Sequence, residues 1–102
     1  MFQKCKVTVV KKAFSDDLVE EYTKQPERFS VCEMVEEGQE FFITNAFEMP
    51  EGICPYAWAD IRHMILSIAT GGSFEMMKDS SSALANCTDL FRPVTFKIER
   101  VD

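Results

Sequence analysis

Residues 54–72 read CPYAWADIRHMILSIATGG, the longest periodic stretch in the chain and the one that carries its only tryptophan. At about 100° per residue, Ala57, Trp58, Ile61, Met64, Ile65, Ile68 and Ala69 fall within about 80° of Cys54. Tyr56, Asp60, His63, Ser67 and Thr70 take the opposite side. This is an amphipathic helix with one broad apolar stripe. Leu66 falls off the stripe and is a candidate for a contact outside the core. Pro55 suits the first helical position, where its missing N–H would have had no partner. Gly71-Gly72 can supply the positive φ that ends a helix. A rod roughly 25 Å long must bury its stripe, and in a chain of this size a sheet is the expected surface.

Composition sets the outer bounds. The 102 residues make one domain, and an apolar fraction of 46% with nine phenylalanines is enough for a core. A net charge of −6 makes nucleic-acid backbone and anionic membrane poor partners. No apolar run is long enough to span a bilayer, and the N-terminal MFQKCKVTVVKK lacks the apolar core of a secretion signal. The expected location is cytoplasmic, where the four cysteines would be reduced.

Outward from the central helix, residues 4–14 alternate. Cys5, Val7 and Val9 share one face; Lys6, Thr8, Val10 and Lys12 share the other, as in a strand buried on one side. Ser15 is a suitable N-cap for a short helix over residues 16–24, with Asp16, Asp17 and Glu20 near its positive end and Pro26 beyond it. Residues 29–35 and 39–45 are two β-prone runs around Gly38 and suggest a hairpin. Residues 46–53 read as loop, 73–78 as one helical turn and 80–82 as loop, while 83–89 show no clear pattern. Residues 93–101 form the clearest strand, with Val94, Phe96 and Ile98 on one face. The first and last strands match in length and pattern and are expected to be neighbours. The expectation is α+β: a small, mainly antiparallel sheet with the 54–70 helix on one face and the 16–24 helix beside it.

Four segments, KCKVTVVKKAF, VEEGQEFFI, MPEGICPYAWADI and CTDLFRPVTFKIERV, together resemble a family of small uncharacterised bacterial and archaeal proteins of about this length. The resemblance covers nearly the whole chain and rests on its unusual cysteine-bearing segments. It implies no particular activity and gives no residue a catalytic role.

Chemistry must therefore be sought in the residues. Cys54 stands where a helix begins, and a thiol there faces partial positive charge and open backbone N–H groups, a setting that favours the thiolate. Its place beside Trp58 and Ile61 is equally that of a small buried hydrophobe. Cys32, Cys54 and Cys87 each fall near an element end or loop. If they converge, three thiolates could hold zinc or another soft metal, or two could form a redox pair. Spacings of 22 and 33 residues, with no C-x-x-C, provide little sequence support. Cys5 shares a strand face with Val7 and Val9 and reads as core.

The lone His63 lies nine residues beyond Cys54, half a turn around a regular helix and roughly 13 Å along it. A thiol–imidazole dyad cannot be built within that helix, and His63 reads as solvated. Asp60, Asp89 and Arg92 are the charges nearest the unusual segments. Asp89 and Arg92 read as a solvated turn, with an ion pair or an anion contact at Arg92 as alternatives. There is no glycine-rich phosphate loop and no G-x-S-x-G. Two functional readings remain. The first is a cysteine-centred protein that binds metal or performs thiol redox or sensing. The second is a non-catalytic interaction module that self-associates or binds a protein partner through Leu66, Phe74, Met76 and Met77.

Overall fold

The computed structural model describes residues 2–101. Strand β1 (Cys5–Lys12) leads to helix α1 (Asp16–Tyr22) and a single 3₁₀ turn at Pro26–Arg28. Strand β2 (Glu40–Ile43), helix α2 (Pro55–Ala69), strand β3 (Ser82–Asn86) and strand β4 (Val94–Arg100) follow. The strands form one sheet in the order β2-β1-β4-β3, every pairing antiparallel. The fold is α+β, and the first and last strands are neighbours at its centre.

The expected alternation is preserved in β1 and β4. Cys5, Val7, Val9, Val94, Phe96 and Ile98 are all buried. The register slips between Val9 and Lys11, a bulge that leaves Val10 exposed. On the open face Lys6 lies between Glu40 and Glu99, at 3.3 and 3.5 Å.

Helix α2 lies over β3 and β4 and reaches β1. Ile61, Ile65 and Ile68 are fully buried in that interface, each contributing about 1.5–3 kcal/mol through apolar burial. The other half of the sheet is covered by the 46–53 loop, with Ala46 and Ile53 in the core beside Phe41 and Ile43.

The C-terminal end of α2 is fully capped. Gly71 N–H donates to Ile68 O (3.2 Å) and Gly72 N–H to Ser67 O (2.7 Å), the paired bonds of a Schellman motif. Gly71 takes φ +99°. A Cβ on Gly72 would stand 2.6 Å from Ser67 O, so the close approach excludes a side chain there. Gln3 N–H donates to Ala69 O at 2.8 Å. The Arg100 guanidinium donates through Nη1 to Ile68 O (3.0 Å) and Gly72 O (2.6 Å), placing a cation at the negative end of the helix.

Three local expectations are corrected. Residues 29–35 form bends, not the first strand of a hairpin. Gly38, at φ +88°, turns the chain toward β1 instead. Its N–H donates to Val9 O (2.7 Å) and Val9 N–H donates to Gln39 O (2.9 Å), so β1 takes the partner edge of β2. Residues 73–78 form a non-helical turn, closed by Met77 N–H donating to Phe74 O at 3.1 Å. Ser82 is not loop: it begins β3 and is buried, its hydroxyl donating to Asp79 O at 2.7 Å.

Candidate functional site

Cys54 is the N-cap residue of α2, in extended conformation with φ −64° and ψ 127°, and Pro55 opens the helix. Its carbonyl accepts Trp58 N–H at 2.9 Å. Its thiol makes no capping hydrogen bond, so the sulfur is not consumed by the helix it starts. The first-turn amides of Tyr56 and Ala57 have no intrahelical acceptor by position.

Cys87 lies one residue beyond β3 and prolongs the β3–β4 ladder. Its N–H donates to Val94 O at 3.0 Å, and Val94 N–H donates to Cys87 Sγ at 3.3 Å. The loop that follows is built around two carboxylates. Asp89 Oδ1 accepts Phe91 N–H (3.2 Å) and Arg92 N–H (3.1 Å), while Oδ2 accepts Arg92 Nε–H (3.0 Å). The expected solvated turn is thus an ordered one, with Arg92 ion-paired to Asp89 and its guanidinium 5.6 Å from the Phe29 ring centre. From α2, Asp60 Oδ2 accepts both Thr88 N–H (2.7 Å) and Thr88 Oγ1–H (3.0 Å). This clamp ties the loop after Cys87 to the second turn of the helix that begins at Cys54.

Cys32 comes from the bend region before β2 and packs, half-buried, against the core. The three segments meet around one half-open cleft of about 600 Å³, and Cys32, Cys54 and Cys87 all line it. Val35, Ala57, Val94 and Phe96 supply apolar wall; Asp60, Thr88, Asp89 and Arg92 supply the polar edge. The volume lies within the range of small-molecule sites, and the character, mostly apolar with a few convergent polar groups, is that of such sites. Among the described residues no three His, Cys, Asp or Glu side chains are grouped closely enough to hold a metal ion. The cysteines there are free thiols.

Cys5 stands apart. It is fully buried between sheet and helix, as expected of a core residue. Burial pushes its thiol above the ordinary range, partly offset by the nearby Arg100 guanidinium. His63 is exposed and lines a second, smaller groove on α2 with Arg62 and Leu66, away from the thiols. Phe74 and Leu66 are half-buried against the core, whereas Met76 is 89% exposed. Sequence reasoning did not find Met34, Val35 or Thr88 as wall residues, because nothing in their spacing marks them.

No family model, no curated protein and no solved structure matches this chain. No helix among the described residues is long and apolar enough to cross a membrane.

Proposed function

We propose that the cleft at the start of α2 is the working site of a thiol redox or sensing module. The observation that carries this reading is the gathering of Cys32, Cys54 and Cys87, from three separate segments, on the wall of one open cleft while Cys5 is sealed in the core. A small hydroperoxide is the oxidant of the appropriate class. One cleft thiolate attacks its O–O bond, is oxidised to a sulfenic acid, and releases water or an alcohol. A second cleft thiol displaces water from that sulfur to give a disulfide. Asp60 and Asp89 act by holding the Cys87 loop in place, which makes them positioning residues. Metal binding by Cys32, Cys54 and Cys87 ranks second, because it needs three ligands gathered at one point, where a disulfide needs only two of the sulfurs to meet. Membership of the small uncharacterised family that the chain resembles is compatible with either reading.

The test uses protein purified without oxygen and assayed for metal. One equivalent of hydrogen peroxide is expected to remove two thiols, both from the cleft, and a dithiol reductant to restore them. Peptide mapping should leave Cys5 unmodified. Stoichiometric bound zinc would replace this reading with the metal one, and thiols that survive peroxide without metal would remove both.

A further inference from the structure

We infer that the cleft thiols divide the labour: Cys87 attacks the hydroperoxide, Cys54 closes the disulfide, and Cys32 takes part in neither step. This division rests on the redox reading of the cleft and names the sulfur that starts the reaction. Cys87 and Val94 face one another where the β3–β4 ladder runs on past Asn86. Cys87 N–H donates to Val94 O at 3.0 Å, as antiparallel pairing requires. The return bond of such a pair would run from Val94 N–H to Cys87 O. It runs instead to Cys87 Sγ, at 3.3 Å. The sulfur therefore takes the place of a ladder carbonyl, held by backbone on the wall of the cleft that both residues line. A backbone N–H can stay on that sulfur when it carries negative charge, and the bond is then charge-assisted and stronger. Among the described residues neither Cys54 Sγ nor Cys32 Sγ has such a donor.

The same frame selects Cys54 as the second thiol. The Asp60–Thr88 bonds fasten the early turns of α2 to the residue next to Cys87, so Cys54 and Cys87 stand on two elements already joined. Cys32 lies in residues 30–34, which make no backbone–backbone hydrogen bond among the described residues and have no such tie. In the first step the Cys87 thiolate attacks one oxygen of the O–O bond. An S–O bond forms, and the other oxygen takes a proton and leaves as water or an alcohol. Cys54 then attacks Cys87 Sγ: the S–S bond forms, the S–O bond breaks, and the Cys54 proton leaves with hydroxide as water. Two thiols have then given two electrons to one hydroperoxide.

The test treats the reduced protein with one equivalent of hydrogen peroxide, with and without dimedone to trap sulfenic acid, and maps the products by peptide mass spectrometry. Wild type should give a Cys54–Cys87 disulfide, a result that needs no substitution. Cys54→Ser should accumulate the dimedone adduct on Cys87. Cys87→Ser should consume peroxide about tenfold more slowly or worse, since the attacking thiolate is gone. Cys32→Ser should keep both the rate and the disulfide of wild type. Far-UV circular dichroism verifies that each variant is folded. A dimedone adduct on Cys54 or Cys32 in place of Cys87, or a wild-type disulfide that contains Cys32, overturns the division of labour and leaves the redox reading standing. Wild-type cleft thiols that survive peroxide overturn both.

Discussion

Replacing Asp60 by alanine removes the one carboxylate that ties α2 to the loop carrying Cys87. Two hydrogen bonds are lost, from Thr88 N–H at 2.7 Å and Thr88 Oγ1–H at 3.0 Å. Bonds to a charged group contribute about 1.5–3 kcal/mol each where water is excluded. Here both are exposed, so water replaces much of what is removed, and about 1 kcal/mol for the pair is the reasoned figure. That energy belongs to a local opening of the Cys87 loop, not to the core. An opening made easier by about 1 kcal/mol is populated about fivefold more often. The assay is native-state alkylation with excess uncharged maleimide under anaerobic conditions, with rates resolved by peptide mass spectrometry. Cys87 already lines the open cleft, so it should react faster in Asp60→Ala than in wild type by up to about fivefold, and Cys5 should be unchanged. Asp60→Asn keeps an acceptor oxygen and should fall between the two. A Cys87 rate equal to that of wild type, or an equal acceleration of all four thiols, would refute the idea of a clamp acting on this loop.

Two further outcomes concern the scaffold. Arg100→Met removes the charged donor from Ile68 O and Gly72 O and should lower stability by about 2 kcal/mol, seen as a fall in Tm of about 8–16 °C, with Arg100→Lys losing less. A loss below about 0.5 kcal/mol would mean that water caps the helix as well as the guanidinium does. The raised Cys5 thiol gives a sign for pH dependence: the folded chain keeps this proton to higher pH than the unfolded chain. Its contribution is fully present below the range where a free thiol ionises and is lost as pH rises from there through the higher folded value, so urea midpoints should decline above about pH 8. Cys5→Ala should flatten that decline, and an identical slope in the variant would contradict the assignment.

The parts of the fold that sequence made legible are those in which local pattern and tertiary environment agree. The α2 stripe, its proline start and its double-glycine stop all point the same way, and the helix observed, Pro55–Ala69, lies within the expected span. The alternation in β1 and β4 was equally plain. Strand β3, SALAN, was not, because its small residues have little intrinsic preference for strand and are held by pairing with β4. Residues 29–35 carry β-prone side chains, but β2 pairs with β1 instead, and its outer edge carries no strand. The same limit applies to the site. Spacings of 22 and 33 residues between cysteines say nothing about proximity. It is the topology, which sets the start of α2 beside the end of β3, that brings Cys54 and Cys87 to one cleft. Arg100 was missed because a basic residue ending a strand looks like surface until the helix terminus it caps is seen.

The central claim is that three cysteines distant in sequence share one cavity wall, and a short flexible bis-maleimide tests it most directly. Applied at one equivalent to the native, reduced protein at low concentration, it should give intramolecular bridges that map to pairs drawn from Cys32, Cys54 and Cys87. Cys5 should be absent from every bridged peptide. Mono-adducts alone, or bridges whose pairings match those formed in urea-unfolded chain, would show that the three sulfurs do not face a common space.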